Sequence, residues 1–352
     1  SLQGVASAAV PLGMAILRDA LSYERVFGGM AVVSATMGIG SAVGLPLAAF
    51  IARVADWHLL FWISAILALS LIVAVMLVIP KSVQGVATAF DGIGAFGLAT
   101  VLILLLIPLS KGTEWGWGSP LVWGQLSVAV VVGAGWSYTQ MRRTDPLVDL
   151  RLMRSRSLFF TNAASLLMGF ALFSSMLVIP QVLQIPSSAG FGFGLDLAVA
   201  GFALMPAGVA MLFVAPLGGR LTQRAGARPT LVLGLIVAAG YGVYAVSLNL
   251  LPALLSGSLI IGMGMGFAFA AVPALIMNSV PSSHGGVANG VNALIASIGS
   301  SIGSAIIAAV LLTSSVSVGG IIFPSAEAFR LAVFLGGGSA LVAAALASLA
   351  RT

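Results

Sequence analysis

The chain has 352 residues, of which 60% are hydrophobic and only 7% charged, and its formal net charge at pH 7 is +6. So few charges cannot cover the exterior of a water-soluble fold of that size, which excludes a soluble globular domain. The lack of cysteine excludes a disulfide framework and a thiolate metal site, two histidines without clustered ligands argue against a metal centre, and the basic surplus lies in short loops rather than in a nucleic-acid-binding patch.

A helix crosses the bilayer with about 20 apolar residues. Eleven runs qualify, at roughly 2–17, 26–52, 59–79, 92–110, 120–139, 158–183, 197–219, 229–248, 252–277, 286–312 and 328–350. They are continuous rather than alternating, which favours helices over a transmembrane barrel.

Span 1 is short. Ser1-Leu2-Gln3 lead straight into it with no initiator Met and no signal-peptide n-region, so a truncated start is expected. It carries the pattern GxAxAAVP at Gly4–Pro11. Span 2 carries GSxxG at Gly40–Gly44 within the stretch GIGSAVGLPLAA, and Trp57-His58 precede span 3. Spans 4 and 5 are followed and led by Trp115, Trp117 and Trp123, interfacial aromatics at one boundary. A basic linker, PLVDLRLMRSRSLFF (Pro146–Phe160), leads into span 6, which holds Asn162 and Gln181. Asp196 stands at the start of span 7, and the loop GGRLTQRAGARP joins spans 7 and 8. GxAxAAVP returns in span 9 at Gly266–Pro273, and GSxxG returns in span 10 at Gly299–Gly303, together with Asn289 and Asn292.

With residue 1 at the outer face, the inner loops hold twelve basic residues: Arg18, Arg25, Lys81, Arg142, Arg143, Arg151, Arg154, Arg156, Arg220, Arg224, Arg228 and Arg351. The outer loops hold three: Arg53, Lys111 and Arg330. This bias puts the C-terminus in the cytoplasm and supports the span count, because one missed helix would scramble the alternation.

The two patterns recur in order on helices of equal direction, so spans 1 and 2 match spans 9 and 10. This is a parallel repeat about an axis along the membrane normal, as transporters have. With six helices per half, the sequence divides into 1–80, the last three helices of an N-terminal half; 81–150, a two-helix insert; and 151–352, a C-terminal six-helix half. Three helices would precede residue 1.

On these residues the chain resembles the fourteen-helix drug:proton antiporters of the major facilitator superfamily. The family's antiporter motif, G-x₃-G-P-x₂-G-G followed by Trp-Arg, is met by Gly40 and Gly44. Pro46 comes one place late, Ala48 and Ala49 replace the two glycines, and His58 replaces the arginine. The family's cytoplasmic loop motif, G-x₃-D-R-x-G-R-R, is met by Gly219, Arg224, Gly226 and Arg228, with Gln223 in place of the aspartate. Gln3 and Gly4 match the end of its fourth-helix motif, R-x-x-Q-G.

The resemblance implies an all-α polytopic membrane protein, a major facilitator-type bundle with about eleven transmembrane helices present. It implies a monomer in a bacterial cytoplasmic membrane that exports small lipophilic or cationic compounds in exchange for protons, without cofactors. No paired carboxylates, nucleophile–base spacing or phosphate-binding loop appears, so no catalytic residue is expected and an enzyme is disfavoured. Intramembrane chemistry reduces to amides, methionines and aromatics. Asn162, Met168, Phe173, Met263, Phe267, Asn289 and Asn292 are the expected substrate-cavity residues. Every carboxylate lies in a loop or at a helix end, leaving Asp196 as a weak candidate for proton coupling. A metabolite importer or symporter on the same fold is the main alternative, and a non-transporting membrane enzyme or sensor is a lesser one.

Overall fold

A computed structural model of the chain describes residues 12–14, 16–17, 28–29, 32–33, 36, 40, 43–44, 46–48, 50–51, 54–78, 91–143, 146–153, 155–281 and 284–350. The Gly4–Pro11 copy of the first pattern, Gln3, Ala49 and several of the basic residues assigned to inner loops fall outside these residues. Nine described helices are long and apolar enough to cross a membrane. They coincide with spans 3 to 11, and the described residues of spans 1 and 2 are helical.

The first of these helices, α1 (His58–Val78), is apolar throughout and buries none of its residues. The next two, α2 (Gly92–Trp115) and α3 (Pro120–Arg142), form a hairpin. Asp91 starts α2 by accepting a bond from the Gly94 N–H at 2.8 Å, and Ser119 with Pro120 starts α3, both ordinary N-terminal signals. A short helix, α4 (Leu150–Met153), sits in the basic linker.

Residues 156–349 build one packed bundle: α5 (Arg156–Gln184), α6 (Leu197–Phe202) with α7 (Met205–Ala225), α8 (Ala227–Ala239), α9 (Leu251–Met277), α10 (Gly285–Leu311) and α11 (Ala326–Leu349). Two spans depart from simple helices. Span 7 breaks at Ala203–Leu204 between α6 and α7, and Ser258 on α9 donates to the freed Ala203 carbonyl at 3.1 Å. Such a break is tolerated in a membrane helix when a neighbour satisfies the backbone. Span 8 tightens from α8 into a 3-10 helix over Gly240–Ser247, where Tyr241 and Tyr244 are buried.

In this bundle α5 packs mainly against α10 and α11, and α9 packs mainly against α7 and α8. Exchanging the first three helices with the last three maps one set of contacts onto the other. Helices three apart run in opposite directions, so this internal relation is an inverted one with its axis in the membrane plane. It lies within residues 156–349 and is separate from the parallel repeat read from the sequence. Ser174 ties the bundle together: its hydroxyl meets Tyr241 Oη at 3.2 Å and reaches the Ala332 carbonyl of α11 at 3.2 Å. The α2–α3 hairpin docks on the bundle through α2 against α10.

Between α10 and α11 a two-stranded hairpin joins β1 (Ser315–Val318) to β2 (Ile321–Pro324) in antiparallel register, with Val316 opposite Phe323. Its turn is Gly319-Gly320, both with positive φ, which glycine adopts without strain.

Candidate functional site

The pair α5 and α10 carries most of the intramembrane polar chemistry, and its geometry begins with glycines. A methyl group at Gly299 would fall on the Leu166 carbonyl of α5, and one at Gly169 on the Ala296 carbonyl of α10. At Gly303 it would press on the Phe170 backbone at 3.1 Å. The second GSxxG copy is thus a seam that brings two helix backbones into contact, the use small residues have in membranes. Ser300 bridges the seam, donating to the Gly169 carbonyl at 3.2 Å.

Towards the start of both helices the seam is flanked by an amide pair. Asn292 Nδ2 donates to Asn162 Oδ1 at 2.8 Å and lies 2.8 Å from Ser165 Oγ. Asn162 Nδ2 in turn contacts Met153 Sδ at 3.7 Å. Asn162 and Asn292 are each less than a tenth exposed, so the pair satisfies itself between two helices rather than facing open space. Asn289 bonds within its own helix, to the Gly285 carbonyl at 3.0 Å.

Towards the other end a groove of about 430 Å³ opens between α2, α5 and α10, with Pro324 of the hairpin at its rim. Phe173, Leu177 and Gln181 of α5 face Ser304, Ala305 and Ala308 of α10 across it, and Ser110 of α2 closes one side. Its size falls within the range of small-molecule sites, and its chemistry fits: apolar walls with a few polar groups. Gln181 also lines a neighbouring space of about 190 Å³ under the hairpin, with Phe323 and Phe329. A third cavity, of about 40 Å³, lies between α5, α7 and α9 among Met176, Met211, Met265, Ser175 and Ser258. It holds little more than a water molecule.

Of the expected cavity residues, the structure brings together Asn162 and Asn292, and places Phe173 in the groove. Met168 is core at 3% exposure. Phe267 sits at a helix crossing: a methyl at Gly218 of α7 would lie 3.2 Å from its Cα, and one at Gly234 of α8 would lie 2.8 Å from its Cβ. Met263 is half-buried on α9, and it joins none of the three spaces. Ser110, Leu177 and Ser304 were not singled out by the sequence. Ser304 follows Gly303 directly, so the repeated glycine pattern carried a usable signal for it.

The motif residues are spread more widely. Gly40, Gly44, Pro46 and Ala48 are helical, with Gly40 and Gly44 exposed and nothing within 4 Å of an added methyl. At the start of α1, His58 Nδ1 lies 2.6 Å from Asp56 Oδ1 and its ring stacks on Trp57 at 3.7 Å. The His58 backbone N–H and then its ring hold the Asp56 carboxyl below the usual range. In the cytoplasmic loop motif Gly219 is buried on α7, Gly226 turns the chain at φ +97°, and Arg224 is exposed. Arg228 donates to the Ser348 carbonyl in the last turn of α11, where a cation complements the helix dipole. Asp196 is exposed at the N-cap position of α6.

One buried carboxylate lies elsewhere. Asp91 accepts from Gln140 Nε2 at 2.9 Å and from the Gly94 N–H, and it pairs with Arg143. Gln140 foremost, then the Gly94 N–H, hold its carboxyl below the ordinary range, with Arg143 adding to them. Gln140 Oε1 also accepts from the Val148 N–H at 3.3 Å, so this network fastens the base of the α2–α3 hairpin to the linker before α5. Among the described residues no group of three or more His, Asp or Glu could hold a metal ion.

Comparison with known proteins agrees with this architecture. The Major Facilitator Superfamily profile matches residues 1–304 and, in a second overlapping match, 163–352. The multidrug transporter protein MdtP of Bacillus subtilis is 23% identical over 307 residues, covering 85% of this chain and 55% of that protein. A multidrug resistance protein B homolog of Mycobacterium tuberculosis is 27% identical over 268 residues, covering 73% of this chain and 48% of its own length. The tetracenomycin C resistance and export protein of Streptomyces glaucescens is 25% identical over 303 residues, covering 85% and 55%. The chain spans about half the length of these curated relatives.

Proposed function

We propose, from the premise that this chain belongs to the Major Facilitator Superfamily and is a multi-pass membrane transporter rather than an enzyme, that the protein exports lipophilic or cationic compounds in exchange for protons by alternating access. The observation that carries this reading is the groove between α2, α5 and α10: it is of small-molecule size, lined by Phe173, Gln181 and serine hydroxyls, and free of charged side chains among the described residues. A polar metabolite would call for charged or densely hydrogen-bonding partners there, so the groove favours amphiphiles over the importer alternative. The names of the relatives, which speak of multidrug transport and of export, support the same substrate class.

The rest of the reading is proposed with it. The parent architecture is six helices, a two-helix insert and six helices, in a bacterial cytoplasmic membrane with the C-terminus inside, acting as a monomer. The double family match and the repeated GxAxAAVP and GSxxG patterns support a duplicated bundle. Gly40, Gly44, Pro46 and Ala48, with Ala49, serve close packing and bending in the antiporter-motif helix, and Gly219, Arg224, Gly226 and Arg228 serve the cytoplasmic turn between α7 and α8. Asn162 and Asn292 hold α5 to α10, while Asn289, Met168, Phe173, Met263 and Phe267 line or support the pathway. Asp196 is the proton-coupling candidate in this stretch.

The test is ethidium transport by the full-length protein in inverted vesicles. An imposed pH gradient, acid inside, drives dye accumulation that collapses when nigericin is added. Dye movement that ignores the gradient refutes the proton coupling.

A further inference from the structure

We infer that the two-helix insert takes part in substrate selection. On this reading Ser110 of α2 is a specificity-determining contact for amphiphiles that carry a hydrogen-bond donor and no negative charge. The inference rests on the export reading above and names what its site selects.

The insert reaches the groove through α2, which packs against α10 and places Ser110 opposite Gln181 and Ser304. That wall is fixed rather than loose. At the outer end of α2 the chain folds back so that Trp117 covers Gly112, and Trp123 Nε1 donates to the Trp117 carbonyl at 2.8 Å. At the inner end Trp136 Nε1 donates to the Gly94 carbonyl at 2.8 Å, beside the Asp91–Gln140 bond.

The hydroxyl protons in the groove are already committed. Ser110 Oγ donates to the Ile107 carbonyl at 3.0 Å, and Ser304 Oγ donates to the Ser301 carbonyl at 2.8 Å. Both hydroxyls therefore present lone pairs and act as acceptors, and the Gln181 side-chain amide adds a third acceptor beside its own N–H donors. A ligand N–H or O–H group is what they match. Among the described residues no cationic side chain lines the space, so an anion would be desolvated without a charged partner. Phe173 lines the same space, and an aromatic ring attracts a delocalised cation.

Two lipophilic cations separate the claim from a general loss of fit. Ethidium carries aromatic amine donors, and tetraphenylphosphonium carries none. In proteoliposomes of the full-length protein, Ser110→Ala raises KM for ethidium about three- to tenfold, the loss of one hydrogen bond, with kcat and tetraphenylphosphonium transport unchanged. These 352 residues hold no cysteine, so Ser110→Cys adds the one thiol among them, and ethidium slows the N-ethylmaleimide labelling that this variant gains over the unsubstituted protein. Equal effects of Ser110→Ala on both cations assign Ser110 a packing role and overturn the inference, as does an unchanged ethidium KM with no protection from labelling. If the unmodified protein moves neither cation under a pH gradient, the export reading falls, and the labelling experiment alone decides whether the groove binds.

Discussion

Replacing Gly299 by alanine tests the α5–α10 seam most sharply. The added methyl lands on the Leu166 carbonyl, a backbone atom that cannot rotate away, so the two helices must part. Overpacking of this kind costs about 1–3 kcal/mol, and a clash with backbone belongs at the upper end. Alanine returns about 1 kcal/mol in helix propensity, which leaves a net loss of about 2 kcal/mol. In a bundle of about 200 residues that loss lowers Tm by about 4–8 °C. Gly290 on the same helix is the control, because nothing lies within 4 Å of a methyl placed there; Gly290→Ala holds or raises Tm. The assay is thermal unfolding of the detergent-solubilised protein followed by fluorescence-detected size exclusion. A Gly299→Ala protein as stable as the Gly290→Ala control refutes the seam.

Asn292→Leu and Asn162→Leu each lower stability, and a double-mutant cycle between them returns a coupling of about 0.6 kcal/mol and at most about 1.7 kcal/mol, the average and the maximum for hydrogen bonds between membrane helices; additive losses would mean that the amides do not share a bond. Arg228→Ala frees the last turn of α11 and costs about 1 kcal/mol, whereas Arg224→Ala, at an exposed position, leaves Tm unchanged. Asp91 has a depressed carboxyl pKa, so its contribution is fully present above the unfolded value and is lost as pH falls through the lower folded one. Insert docking is therefore constant between pH 5 and pH 8, and Asp91→Ala loosens it at every pH in that window. Proteolysis in the 143–149 linker reads this directly: faster cleavage of the variant is the expected result, and equal rates refute the latch.

The spans were legible because a membrane helix announces itself by composition and length alone: spans 3 to 11 coincide with observed helices to within a few residues. The alternation of basic loops gave an expected order across the bilayer. Which face of each helix meets which neighbour was not legible, because small and apolar residues surround every helix here. Phe267 looks the same in sequence whether it lines a cavity or wedges against Gly218 and Gly234, and only the packing of α9 between α7 and α8 distinguishes the two. Asn292 was visible as an intramembrane amide, yet its partner Asn162 lies 130 positions away and depends on the register of the seam. The β-hairpin was missed although Gly319-Gly320 between two apolar-rich segments is a hairpin signal. The long apolar runs on either side drew attention to helices alone. The Asp91 network escaped for a related reason: its members, Gln140, Arg143 and Val148, look like ordinary loop and helix-end residues until α2 and α3 pair.

Coupling of substrate and proton movement is the claim on which the functional account turns, and pyranine trapped inside proteoliposomes of the full-length protein measures it. With no pH gradient imposed, ethidium loaded on one side and moving through the protein drives protons the opposite way. The account predicts a pyranine signal that appears with substrate and is absent from protein-free liposomes. Ethidium transport with no accompanying change in internal pH contradicts it.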